Sequence, residues 1–367
     1  MNLFQKSTAL LMAAILSVAA LTGCSSAGKG DSSDAADPDK TYYLYDENDR
    51  PVEVENIATV NGEPISLEEY RYYFLSEKSY YEQMLAAQMG DEASSGPEVI
   101  WANNQETLDT VKEQALQYSI FDRVAKKYAA DNNITLTEDD QKKIDEMMQS
   151  TKDQYETPEA FQEALVGQNM TEDLYRFLLE SQTIQEKIQS TMVAVGSPLA
   201  PTEEEIKKNF DENYLHAKHV LIMTQGITDQ AELDEKKAIA DRVAERAKAG
   251  ENFDDLVKEY NEDPGMEQQP EGYYFGEGEM VTEFYEGTKA LEVNGISDPV
   301  QTSYGWHIIQ RLPIEDDYYE TNKDQIQSKI LQNEVMPKLN EQVGALMDSA
   351  VVEKAPEFDL IGATNLK

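Results

Sequence analysis

At 367 residues the chain is long enough for two or three domains with ample cores, and 31 basic against 71 acidic residues leave a formal net charge of −40. Such a surface repels nucleic acid and anionic membranes, which excludes a nucleic-acid role and fits solubility at a charged cell surface. The single cysteine, Cys24, excludes an intramolecular disulfide.

An apolar run over 7–22 follows Lys6, too short for a membrane span and placed like a signal peptide. It ends in Leu21-Thr22-Gly23-Cys24, which resembles the bacterial lipobox, where the cysteine thiol receives a diacylglycerol and becomes the mature N-terminus. The other reading is an ordinary signal peptide with a chance cysteine. We therefore expect a lipoprotein signal peptide over 1–23 and lipidation of Cys24. A Gly-, Ser-, Ala- and Asp-rich stretch then predicts a flexible tether over 24–50.

Residues 51–200 read as a helical lobe. Ala58-Thr59-Val60 turns at Asn61-Gly62 and returns through Pro64-Ile65, a hairpin signal. Ser66 and Glu69 spell a capping box for a helix carrying Tyr70, Tyr73, Phe74, Tyr80, Tyr81 and Met84. That aromatic face is either a core stripe or a partly exposed surface for unfolded apolar segments. A loop over 91–96 precedes a helix over 104–130, with Leu108, Val111, Ala115, Tyr118, Phe121 and Val124 inward. Thr137 caps the next helix, with Ile144, Met147 and Met148; Thr157-Pro158 and Thr171 open two more. The last of these turns Leu174, Phe177, Leu178, Ile184 and Ile188 inward. The lobe has no His, no Cys and no Gly-rich phosphate loop, so it carries no catalytic constellation.

A linker over 196–201 leads to the Thr202/Glu205 capping box and then to a segment, 216–313, that holds all three histidines. It opens on Ala217-Lys218-His219-Val220-Leu221-Ile222 and closes on Tyr304-Gly305-Trp306-His307-Ile308-Ile309, both patterned as strands. Alternation puts His216 and His219 on opposite faces, which argues against a metal pair. Thr228 can cap a helix over 229–249 with Ala240, Val243, Ala244 and Ala247 on one face and Gly250 as its stop; Asn252 can cap another over 253–260.

This segment resembles the parvulin peptidyl-prolyl isomerases. The matching residues are Lys218-His219-Val220-Leu221, Phe253 and Leu256, Phe275 with Gly278-x-Met280 and Phe284, Gly295-x-Ser297-x-Pro299-Val300-x-Thr302, and Tyr304-Gly305-x-His307-Ile308-Ile309. The resemblance implies a small antiparallel sheet wrapped by helices over 201–313, with the first and last strands adjacent and His219 beside His307. It also implies catalytic roles for His219, Asp263, His307 and Thr302, with Asp263 standing where parvulins carry a Cys or Asp. Met280 and Phe284 would grip the proline ring, with Phe275 close by. No cofactor and no metal are implied. The chain departs from the family at Pro270-Glu271-Gly272-Tyr273-Tyr274, where a Gly-Gly-Asp-Leu-Gly-like piece is usual, so the aliphatic pocket residue is missing or replaced by tyrosine. The loop over 223–231 has no Lys or Arg, so the phosphate-reading loop of some parvulins is absent.

After Pro313, Thr321 is expected to cap a final helix with Ile326, Ile330, Leu339, Val343 and Leu346, kinked or broken at Pro337. Residues 314–352 are expected to pack on the N-terminal lobe, and 353–367 to form a loose tail. The layout resembles the extracytoplasmic foldase lipoproteins of Gram-positive bacteria. It implies an α+β fold in which N- and C-terminal segments form a chaperone-like helical lobe around an inserted parvulin domain. The function implied is a membrane-anchored isomerase that acts, by a non-covalent mechanism, on X-Pro bonds of exported, unfolded proteins at the extracytoplasmic face. The alternative is a holdase with the parvulin unit as scaffold; an adhesin or solute-binding lipoprotein would leave the His219…His307 pattern unexplained.

Overall fold

The computed structural model describes residues 44–89, 97–102 and 104–366. The signal peptide, Cys24, most of the tether and the loop over 91–96 lie outside them. The chain divides into two compact units: 44–191 with 338–366, and 192–337.

In the first unit Leu44–Tyr45 pairs with Pro51–Val52, so part of the stretch expected to be tether forms a small hairpin. The Asp46 carboxylate closes this turn, accepting from the backbone N–H of Asn48 and of Arg50, each at 2.9 Å. The strands Asn56–Val60 and Glu63–Ser66 form the expected hairpin. At its tip Asn61 (φ 52°) and Gly62 (φ 84°) supply the two left-handed residues that a type I′ turn requires. Ser66 Oγ accepts from the Glu69 N–H at 3.1 Å, but the Glu69 side chain reaches Arg123 instead of completing the capping box.

The aromatic helix, Leu67–Met89, divides along its length. Tyr70, Tyr73 and Phe74 are buried, whereas Tyr80 is 63% and Met84 38% exposed. The Tyr73 hydroxyl donates to Asp122 at 2.7 Å from the helix Gln105–Asp131, and burial pushes the Asp122 carboxyl up. In Glu138–Lys152, Ile144 and Met148 face inward, but Met147 is 44% exposed and does not join them. Pro158–Gly167 and Glu172–Val193 start on the Thr157 and Thr171 hydroxyls.

The loose tail expected over 353–367 is corrected. Val352–Lys354 adds a third strand to the hairpin, Val352 facing Val60 and Lys354 facing Ala58. Phe358 is buried edge-on against Tyr70 at 5.5 Å, and Leu366 bridges Leu44. These apolar residues are too widely spaced to read as an amphipathic element; each fills a separate gap.

The second unit holds a four-stranded antiparallel sheet in the order Tyr273–Phe275, Leu215–Met223, Gly305–Leu312, Val300–Gln301. The strand Leu215–Met223 is buried on both faces. Val220 and Ile222 pack under Ala240, Val243, Ala244 and Ala247 of the helix Gln230–Lys248 and under Phe253 and Leu256 of Phe253–Tyr260. Leu215 and Ala217 face the other way, toward Phe275, Phe284, Tyr285 and Ile309. The cap of Gln230–Lys248 is Asp229, whose Oδ1 accepts from Glu232 N–H at 3.0 Å, and not its neighbour Thr228. Thr321 ends the short helix Tyr318–Thr321 rather than capping the last one, which runs unbroken through Pro337 as Lys323–Ser349. The expectation that all of this helix belongs with the N-terminal lobe is also corrected: 323–337 falls in the second unit and 338–349 in the first. Asn209 Nδ2 donates to Glu334 at 2.7 Å within the second unit, and the Tyr128 hydroxyl to Gln342 at 2.9 Å within the first.

Candidate active site

His219 and His307 come from the two central strands and point to the same sheet face, their rings 5.0 Å apart between centroids at 69°. His216, on the opposite face as alternation dictates, sits with Nδ1 2.7 Å from the Pro313 carbonyl and Nε2 2.9 Å from that of Glu271, stacked on Tyr274. It takes no part in the pair.

Asp263 reaches the pair through a loop zipped to the central strand. Asn261 Oδ1 accepts from the Leu221 N–H at 2.9 Å and from the Asp263 N–H at 3.2 Å, while its Nδ2 donates to the Asp263 carbonyl at 2.8 Å. Glu262 N–H adds a bond to the Leu221 carbonyl at 2.9 Å. Asp263 Oδ2 then lies 3.2 Å from His219 Nε2 and accepts from the Tyr273 hydroxyl at 2.9 Å, and Oδ1 accepts from the Gly265 N–H at 2.9 Å. The Asp263–His219 contact is a close approach whose geometry does not meet that of a directed hydrogen bond. The His219 ring beside it, with the donors from Gly265 and Tyr273, holds the Asp263 carboxyl well below the usual carboxylate range against the opposing effect of burial.

Thr302 Oγ1 is 2.9 Å from His307 Nε2 and accepts from the Tyr304 N–H at 3.1 Å. Burial, reinforced by the neighbouring His219, pushes His307 down to about 3, so it is neutral at physiological pH. Nδ1 of both histidines is buried without a hydrogen-bond partner among the described residues.

The apolar wall is Phe284, edge-on to His219 at 5.1 Å and to His307 at 5.3 Å. Phe275 backs it at 5.6 Å with no exposed surface, so it supports the wall rather than lining it. Met280 is half-buried against the same cluster. The turn before Met280 is braced by Glu279, whose Oε1 accepts from the Gly276 N–H at 3.0 Å and whose Oε2 pairs with Lys329; Asn333 Nδ2 donates to the Glu277 carbonyl at 3.3 Å.

His219, His307, Asp263, Thr302, Phe284 and Met280 thus share one face or its rim. Sequence reasoning did not single out Asn261, Tyr273 or Glu279. The Asn-x-Asp spacing was a usable sign of a self-bonded loop, and Tyr273 was visible only as a departure from the family pattern.

Over 203–313 the chain matches the model of the PPIC-type PPIASE domain, and over 2–189 that of the SurA-like N-terminal domain. It is 28% identical over 312 residues to Foldase protein PrsA of Caldanaerobacter subterraneus subsp. tengcongensis, covering 82% of this chain and 87% of the relative. To Foldase protein PrsA of Clostridium perfringens (strain 13 / Type A) it is 26% identical over 312 residues, covering 83% and 86%. To Foldase protein PrsA of Geobacillus sp. (strain WCH70) it is 30% identical over 220 residues, covering 58% and 71%. With a SurA-like domain ahead of its isomerase module, the chain belongs to the PrsA foldases and is a parvulin-type peptidyl-prolyl cis-trans isomerase.

Proposed function

We propose that His219, Asp263, His307 and Thr302 carry the isomerase chemistry on X-Pro bonds of unfolded exported proteins. We further propose that Phe284 and Met280, with Phe275 behind, grip the proline ring, and that lipid on Cys24 anchors the protein at the extracytoplasmic face of the membrane. The observation that carries the catalytic reading is the His219–His307 pair held edge-on to Phe284, with the Asp263 carboxylate 3.2 Å from His219 Nε2 and Thr302 Oγ1 2.9 Å from His307 Nε2.

Isomerisation breaks no bond; its barrier of about 18–20 kcal/mol is lost amide resonance. The uncatalysed event takes roughly 10–100 s, and reaching about a thousand events per second needs some 5–7 kcal/mol of preference for the twisted amide. A dry wall on the proline ring and fixed polar groups at the amide supply such a preference without a nucleophile. Asp263 fits that non-covalent role because both of its oxygens are already engaged by donors.

The helical lobe, where Tyr80 and Met84 are exposed, is proposed to hold apolar segments of the client. No helix among the described residues is long and apolar enough to cross a membrane. A protease-coupled proline-peptide assay on residues 24–367 tests the catalytic reading: His219→Ala and Asp263→Ala should each lower kcat/KM at least tenfold with the circular dichroism spectrum unchanged. Loss of folding in both variants would make the pair structural. The anchor is tested by Cys24→Ala, which should release the protein from the membrane fraction or leave it unprocessed; mass spectrometry finding an unmodified Cys24 in the mature protein would remove that part.

A further inference from the structure

Tyr273 lies on the edge strand, opposite Ala217, with its ring nearly parallel to that of His219 at 5.8 Å and 20°. Its hydroxyl donates to Asp263 Oδ2, the same oxygen that faces His219 Nε2. The room for that hydroxyl comes from Gly265. A Cβ on Gly265 would stand 2.3 Å from the Tyr273 hydroxyl oxygen and 3.2 Å from Asp263 Oδ1. The backbone at Gly265 is not left-handed, so conformation does not call for glycine there; the tyrosine does. A tyrosine whose hydroxyl reaches the carboxylate and a residue trimmed to admit it form a matched pair.

We propose that Tyr273 is a positioning residue for isomerisation, its hydroxyl pinning the Asp263 carboxylate against His219, and that Gly265 is the complementary gap this arrangement requires. The proposal rests on the reading of Asp263 as the catalytic carboxylate. It assigns a use to the stretch where the chain departs from the usual family pattern: lost aliphatic surface is replaced by control of the carboxylate.

The test uses the full chain in the protease-coupled assay with Tyr273→Phe, Gly265→Ala, the double variant and Asp263→Ala. Tyr273→Phe keeps the ring and removes one charge-assisted hydrogen bond, so kcat should fall roughly tenfold while KM changes by less than about twofold. Gly265→Ala should cost a similar factor alone and add little on top of Tyr273→Phe, because the clash is with the hydroxyl. An NMR titration should show the Asp263 carboxyl protonating at higher pH in Tyr273→Phe, by up to about one unit. If Tyr273→Phe retains wild-type kcat and an unchanged Asp263 titration while Asp263→Ala is inactive, the role of Tyr273 is overturned and the site reading stands. Full activity in Asp263→Ala overturns both. Effects of Gly265→Ala and Tyr273→Phe that multiply independently overturn the matched pair.

Discussion

The residue directly across from His219 in the central ladder is Ile309, and His307 faces Leu221, so the two histidines are diagonal neighbours on one pleat face. Their rings meet edge to face all the same, with Phe284 closing the third side. Diagonal placement leaves both backbones free to hold an uninterrupted ladder while the side chains converge.

One consequence is a pH-dependent stability. Burial places the His307 value in the folded protein at about 3, below the roughly 6.5 of an unfolded chain. Between those limits the unfolded state binds a proton that the folded state refuses. The stability is therefore intact above about pH 6.5 and declines on acidification, by up to about 1.4 kcal/mol per pH unit from this residue. Urea denaturation of residues 24–367 from pH 7 to pH 4.5 should show a shallower decline in His307→Asn than in the wild type. Equal slopes would rule out His307 as the buried neutral group responsible.

Asn261 should matter as much as the residues it places. Asn261→Ala leaves the Leu221 N–H without its side-chain acceptor and unties the backbone of Asp263. A cost of about 1–3 kcal/mol in stability is expected for the orphaned donor, together with a kcat at least tenfold lower in the peptide assay. A stable, fully active variant would show that the loop is held by the Glu262–Leu221 backbone bond alone.

The brace on the Gly276–Glu279 turn predicts a difference between two fragments. Residues 192–337 retain Lys329 and Asn333, which hold Glu279 and the Glu277 carbonyl, while residues 203–313 lack both. The longer fragment should turn over a proline peptide with a KM several-fold lower, since Met280 follows the braced turn directly, and with a similar kcat. Identical KM values would mean that the turn holds its shape unaided.

The exposed end of the aromatic helix can be separated from its buried end. Tyr80→Ser with Met84→Ser removes apolar surface from the exposed positions and leaves Tyr70, Tyr73 and Phe74 in the core. The double variant should keep its thermal midpoint and its peptide isomerase activity, and should suppress light scattering by a refolding client less well. Undiminished suppression would locate client holding elsewhere.

The sequence exposed those parts of the protein that follow from local rules. Period-two alternation separated His216 from His219, Asn61-Gly62 announced its hairpin, and Thr137, Thr157 and Thr202 capped the helices they precede. Where two adjacent residues can both cap, as with Thr228 and Asp229, local chemistry could not choose, and the chain starts its helix on the aspartate. Tertiary choices were hidden. Phe358 and Leu366 look like isolated apolar residues in a polar tail until Tyr70 and Leu44 are seen waiting for them. Tyr273 looked like the loss of a pocket residue because its hydroxyl partner lies ten positions away across a loop whose path no periodicity encodes.

The carboxylate at 263 also changes what the site fears. With Cys24 the only cysteine in the chain, peroxide has no sulfur to convert to sulfenic acid beside His219, and thiol-alkylating reagents have no target there. An oxidisable sulfur is present instead in the thioether of half-buried Met280, packed against the Phe275 and Phe284 cluster. Its sulfoxide would bring a polar, chiral group into the apolar wall, a lesion that methionine sulfoxide reductases repair and that disulfide exchange cannot. If Asp263 and Met280 act as proposed, oxidation would spare the carboxylate and strike the grip on the proline ring.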